Sequence, residues 1–208
     1  LLLLVLIVGG GFGGYVLLKK YSPAPTPRVV PTIAPTSTPK GAALFKDSFT
    51  DNKNSWDLTS LAGQYSVKLG NGSMILEDDN NRLLWELVPG GRNFSDFYLT
   101  VDASLSKGTQ SNGYGIYVRG ASNQNEDLAT YYRFELYGDG TFAVFKGTVD
   151  AAGTSKSTAI VNFSTSSVVL KQGQVNHVGI SARGSTMTFI VNGAILKTFT
   201  DNSYTGGS

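Results

Sequence analysis

The sequence contains no cysteine. That absence removes disulfides, thiolate zinc sites and cysteine nucleophiles together, and it suits a bacterial exported protein. Histidine occurs once, at His177, so no H-E-x-x-H zinc motif exists, and no Ser-His-Asp arrangement is legible. Acidic residues are missing from the first 40 positions, where Lys19, Lys20, Arg28 and Lys40 stand alone. All 15 acids therefore lie beyond residue 40 with the remaining 13 of 17 basic residues, giving that part a net charge of about −2. A nucleic-acid binder needs a basic face on its binding domain, so DNA and RNA are set aside as partners. Proline is almost absent after residue 40, where only Pro89 remains of seven, leaving the chain free to form β-ladders.

What is present begins with an uncharged run over residues 1–18, LLLLVLIVGGGFGGYVLL. At about 1.5 Å per residue it spans roughly 27 Å, close to the thickness of a bilayer core, which predicts a transmembrane helix. It ends in Lys19-Lys20 rather than a small-x-small cleavage site, so the anchor is expected to be retained. Gly9 to Gly14 formally matches G-x-G-x-x-G, but with no strand-turn context it carries no dinucleotide reading. The same glycines form two G-x-x-x-G pairs, a flat strip for another helix or simply small residues tolerated in a span. The chain opens on Leu1 rather than Met, from which an upstream continuation is expected. Residues 19–40 hold the other six prolines and read as a Pro/Thr-rich stalk, reaching up to roughly 60 Å as polyproline II.

From residue 41 to the end, short alternating runs follow one another at Gly, Asn, Asp and Ser turns, with no helical apolar stripe of ten or more residues. Strands are expected over 44–49, 65–69, 73–77, 82–88, 97–105, 114–119, 131–137, 141–146, 158–163 and three more between 175 and 199. The clearest pattern is VNHVGISARGSTMTFIVNGAILKTF. Val178, Ile180 and Ala182 alternate with polar neighbours; Met187, Phe189 and Val191 repeat the pattern; and Asn192-Gly193 is the dipeptide suited to a type I′ hairpin. Phe97, Leu99, Val101, Ala103 and Leu105 form a second unambiguous inward set, and Tyr137-Gly138-Asp139-Gly140-Thr141 a second hairpin turn. An all-β, two-sheet antiparallel sandwich is the expected fold.

Parity also nominates a surface. If Tyr114, Ile116 and Val118 face the core, Tyr117 and Arg119 face outward; if Tyr132, Phe134 and Leu136 face inward, Tyr131, Arg133, Glu135 and Tyr137 share the opposite face. Aromatic faces stack on sugar C–H patches and planar polar groups fork onto hydroxyl pairs, so Tyr117, Arg119, Tyr131, Arg133 and Glu135 are candidate glycan-binding residues. The competing reading is an ordinary solvated sheet face with cross-strand ion pairs. Trp56 and Trp85 read as core or turn packing rather than platforms. No cofactor is expected; a loop calcium site from Asp51 and Asn52, or Asn125 and Asp127, is the one metal option, without a fixed-spacing motif. The N-x-S/T sites at Asn71, Asn93 and Asn162 matter only in a glycosylating secretory pathway.

The V-N-H-V-G-I and F-I-V-N-G patterns resemble the penultimate hairpins of concanavalin A-like, laminin G-like jelly rolls. Leu44 to Phe49, followed by Asn54-Ser55-Trp56, resembles their opening strand and Trp turn. The run S-N-G-Y-G-I-Y-V-R-G, followed by Y-Y-R-F-E-L-Y-G-D-G, resembles the 3-keto-disaccharide hydrolase-like branch, where the Gly-x-x-x-Arg strand lies on the concave face. That resemblance implies a place for Arg119 at the site. It also implies a final strand beside the opening one, so a sandwich lacking its last strand, with an unpaired edge at 44–49, is expected. Span, Pro/Thr stalk and jelly roll are arranged as in bacterial receptor-type serine/threonine kinases. The function expected is a membrane-anchored, extracytoplasmic, noncatalytic recognition module for a glycan or envelope polysaccharide. The alternative is a glycoside or 3-keto-disaccharide hydrolase-like enzyme. Retaining glucanases of related fold use E-x-D-x-x-E, and none of Glu77, Glu86, Glu126 and Glu135 begins that motif, though folding could bring Glu86 to Glu135.

Overall fold

A computed structural model describes residues 42–80, 84–122, 128–150 and 154–208. The expected span at 1–18 and stalk at 19–40 lie outside these residues, as do Asn125 and Asp127. Among the described residues no helix is long and apolar enough to cross a membrane.

Eleven strands carry the described fold: β1 (Ser60–Leu61), β2 (Tyr65–Gly70), β3 (Ser73–Asp78), β4 (Phe97–Ala103), β5 (Gly113–Ser122), β6 (Leu128–Tyr137), β7 (Thr141–Val149), β8 (Ser155–Thr165), β9 (Asn176–Arg183), β10 (Thr186–Val191) and β11 (Ala194–Thr200). They form a small meander, β1-β2-β3, and two four-stranded sheets, β11-β10-β9-β4 and β5-β6-β7-β8. Every pairing is antiparallel. Because β4 pairs with β9 while β5 to β8 intervene in sequence, the chain leaves one sheet, builds the other and returns. The result is an antiparallel sandwich.

The core lies between the two large sheets. Tyr132, Phe134 and Leu136 on β6 meet Val178, Ile180 and Ala182 on β9 and Met187, Phe189 and Val191 on β10, all buried. The Phe134 ring packs edge-on against Phe189 at 5.2 Å and near Phe199 at 5.9 Å. Burying each such side chain contributes about 1.5–3 kcal/mol, which pins strand register because a one-residue slip would turn the set to solvent. Phe97, Leu99, Val101 and Ala103 pack against the same core. The β10–β11 turn is the one expected: Asn192 and Gly193 both take positive φ, at 51° and 81°. The Asn192 amide donates to the His177 carbonyl at 2.8 Å, while its side-chain Oδ1 accepts from the His177 amide. Asn176 is fully buried and fully engaged, exchanging hydrogen bonds with both backbone groups of Leu170, donating to the Tyr114 hydroxyl and accepting from Asn192.

Two expected strands do not form. At 44–49 the Asp47 carboxylate captures the chain locally, accepting from the Phe49 amide, Asn54 Nδ2 and Trp56 Nε1, each at 2.6 Å. Phe49 and Ser55 turn through positive φ, and Phe45 and Phe49 pack on Trp56. Side-chain hydrogen bonds to nearby backbone outcompete a ladder there, so the segment is a folded turn and offers no strand edge. Trp56 does pack in this turn. At 84–88 there is also no strand; Trp85 is part-exposed and Glu86 Oε1 instead accepts from the Asp57 amide at 2.7 Å. At the other end, Gly207 pairs with Phe94 and Ser208 exchanges backbone hydrogen bonds with Gly120.

Candidate functional site

The outward face of β5-β6-β7-β8 is set by register. Tyr117, Arg133 and Phe145 stand opposite one another in a row across three strands. Gly115, Glu135 and Ala143 form the next row, with Gly113 beside Tyr137 beyond it and Tyr131 beside Gly147 on the other side. Outside the Tyr117–Arg133–Phe145 row, large side chains on β6 (Tyr131, Glu135 and Tyr137) thus lie beside small residues on its neighbours (Gly113, Gly115, Ala143 and Gly147). A Cβ on Gly147 would sit 2.3 Å from the Tyr131 ring, so the ring lies flat across β7 and its hydroxyl reaches Ser155 Oγ at 3.2 Å. Gly113 likewise leaves room for Glu135 and Tyr137, whose atoms would be 3.0 Å from a Cβ there.

The consequence is a packed polar layer. Tyr131 is only 1% exposed, and Glu135 and Tyr137 are also buried, although all three point away from the core. Glu135 spends both oxygens internally: Oε2 accepts from the Tyr137 hydroxyl, and Oε1 lies 3.0 Å from Arg133 Nε. The Arg133 guanidinium stacks over Phe145 at 4.7 Å from the ring centre, and its Nη1 reaches the Tyr117 hydroxyl at a long 3.5 Å. Burial pushes the Tyr117 phenol up to about 12, with the Arg133 hydrogen bond opposing the shift. Burial first, and then its bond to Glu135, also pushes the Tyr137 phenol up. Both phenols therefore remain neutral donors near neutral pH. Phe163, 63% exposed, extends the surface, contacting Tyr137 at 5.2 Å and Phe145 at 5.7 Å.

Four of the five residues nominated from sequence meet here: Tyr117, Tyr131, Arg133 and Glu135. Arg119 does not. The β5–β6 register shifts between Val118 and Ala121, and Arg119 itself takes a φ of 54°. This bulge breaks the alternation and buries the side chain to 1% exposure. Its Nε and Nη2 donate to the Ser95 carbonyl at 3.1 and 2.7 Å, and Nη1 to the Tyr204 carbonyl at 3.3 Å. Arg119 is a strut between β5, the chain leading into β4 and the C-terminal segment. Tyr131 is also too buried to act as a stacking platform, and instead backs Tyr117, whose ring it meets at 4.9 Å.

Sequence reasoning omitted Phe145 and Phe163. Phe145 was within reach of parity on β7, since Thr141, Ala143, Phe145 and Gly147 alternate outward. Phe163 was not, because the β7–β8 register shifts twice between Phe142 and Phe145. Other candidates are engaged elsewhere. Asp51 pairs with Lys53 at 2.5 Å, and the Asn52 side chain bonds both backbone groups of Trp56. Among the described residues no cluster of three or more metal-ligating side chains forms. His177 bonds Asp102 across β9 and β4 at 2.7 Å. Glu86 is held at the Asp57 amide, while Glu135 is held by Arg133 and Tyr137, so the two share no partner.

Residues 43–208 match the model of the 3-keto-alpha-glucoside-1,2-lyase-like domain family. No curated protein sequence matches the chain. Among solved structures, the carbohydrate-binding module CBM66 from Bacillus subtilis resembles it with a TM-score of 0.45 at 12% identity, over 74% of this chain and 80% of that one.

Proposed function

We propose that this chain, which belongs to the 3-keto-alpha-glucoside-1,2-lyase-like domain family, is a noncatalytic carbohydrate-recognition module displayed outside the cytoplasm on a membrane anchor and stalk. The observation that carries the reading is the packed outward layer of β5 to β8. A solvated sheet face keeps its ion pairs loose and exposed, whereas here Arg133 is fixed by Phe145 below it and Glu135 beside it. A rigid guanidinium bordered by an exposed Phe163 and a half-buried Tyr117 supplies the fork and the apolar face that bind a sugar ring. Preorganisation reduces the ordering cost of binding, which matters on a shallow face where affinity is weak. The anchor and stalk rest on the composition of residues 1–40: an uncharged run followed by six prolines.

The test is a glycan panel, neutral and acidic, presented to the full chain in mild detergent, with Arg133→Ala and Phe163→Ala alongside. Hits on the wild type that both variants weaken support the reading. A blank panel, or hits that survive both substitutions in folded protein, contradicts it.

The family description favours a second reading, an enzyme acting on a glycoside or 3-keto-glycoside. Incubating the chain with 3-keto-disaccharides and ordinary glycosides, and following released sugar, separates catalysis from binding.

A further inference from the structure

The polar atoms of the β5 to β8 face are unevenly divided between donors and acceptors. Glu135 is the only carboxylate in the layer among the described residues, and both its oxygens are turned inward to Tyr137 and Arg133. The donors are not spent. Arg133 Nε is buried without a hydrogen-bond acceptor, since Glu135 Oε1 is near enough for an ion pair but out of line. Among the described residues Nη1 has only the long contact to Tyr117, and no acceptor there meets Nη2. The Tyr117 oxygen accepts in that contact, so its own proton is free to be donated. A guanidinium whose side chain is 19% exposed ordinarily satisfies most of its five donors. This one is held stiffly over Phe145, with no side-chain or backbone acceptor on its outer edge among the described residues.

A neutral sugar diol offers donors as well as acceptors, and its hydroxyl protons find few partners on such a surface. A carboxylate offers acceptors alone, with the spacing that matches two parallel guanidinium N–H groups. We propose, resting on the carbohydrate-recognition reading, that this site selects an acidic glycan: a uronate whose carboxylate is received by the outer edge of Arg133 while its ring lies against Phe163. The net charge of about −2 over residues 41–208 gives such a ligand no long-range attraction. Selectivity therefore resides in the local fork, and on-rates are slow relative to electrostatically steered binding.

The experiment is calorimetric titration of the full 208-residue chain, in mild detergent, with trigalacturonate and with its carboxyl-reduced, otherwise identical trisaccharide. The uronate is expected to bind about tenfold or more tightly than the reduced sugar, as a charge-assisted fork requires. Arg133→Lys, which keeps the charge but not the planar fork, is expected to erase most of that preference while its thermal unfolding midpoint confirms a folded domain. Equal binding of the two sugars overturns the acidic-glycan inference and leaves carbohydrate recognition standing. Binding of neither overturns the inference, and with a blank glycan panel it removes the carbohydrate reading as well. An Arg133→Lys variant that keeps the full preference assigns the carboxylate to another group and also overturns it.

Discussion

Two arginines on neighbouring strands, Arg119 on β5 and Arg133 on β6, have opposite fates. Arg119 is buried in three hydrogen bonds to main-chain carbonyls, so Arg119→Ala leaves the Ser95 and Tyr204 oxygens without their charged donor. A loss of about 2–4 kcal/mol in urea unfolding is expected, with sugar binding retained by the folded fraction. Arg133→Ala is expected to cost binding about ten- to a hundredfold, and to cost stability as well, because the buried Glu135 is left without its ion-pair partner. Asp201 supplies a pH-dependent case. Burial opposes its ionisation, but hydrogen bonds from Lys146, Tyr132 and Ser203 outweigh burial and hold the carboxyl well below the usual range. A depressed folded value means the stabilisation is complete above the unfolded value of about 3.9 and is lost as pH falls through it toward the folded one. Asp201→Asn is therefore expected to be less stable at neutral pH by about 1–3 kcal/mol, with a flatter stability profile between about pH 5 and pH 2.

At the scale of the strand, what sequence made legible and what it hid divide cleanly by register. Wherever alternation runs unbroken, as in β6, β9 and β10, parity placed Tyr132, Phe134, Ile180 and Phe189 in the core, and the opposite face followed from it. Parity failed at bulges, where one extra residue reverses every later side chain: Arg119 turned inward, and Phe163 joined the surface unannounced. It also failed at 44–49, where an apolar pattern suited to a strand was overridden by the Asp47 hydrogen bonds to Phe49, Asn54 and Trp56. Nor does alternation show that an outward side chain is buried. That depended on glycines in the neighbouring strands, which a reading of one strand at a time does not connect. Gly147→Ala tests the point, because the new Cβ must displace the Tyr131 ring and break its bond to Ser155. A loss of about 1–3 kcal/mol is expected in thermal or urea unfolding, larger than for Gly63→Ala at an open turn with nothing near its Cβ but a positive φ.

At the scale of the whole molecule, the proposed sugar-recognition surface is one face of the β5-β6-β7-β8 sheet. A rival location exists: an open cavity of about 440 Å³ between the β6–β7 turn and the 165–174 loop, lined by Asp139, Ser166, Leu170, Lys171 and Gln174. The outer face of β4 and β9, with Tyr98, Asp102 and His177, is another. The most direct discrimination is a nuclear magnetic resonance titration of the isotope-labelled chain with a sugar that binds it, reading amide shifts residue by residue. Recognition on the β5 to β8 face gives changes concentrated at Gly113 to Tyr117, Arg133 to Tyr137, Phe145 and Phe163. Changes concentrated instead at Asp139 and Ser166 to Gln174, or at Tyr98 and His177, with the β5 to β8 face silent, would contradict it.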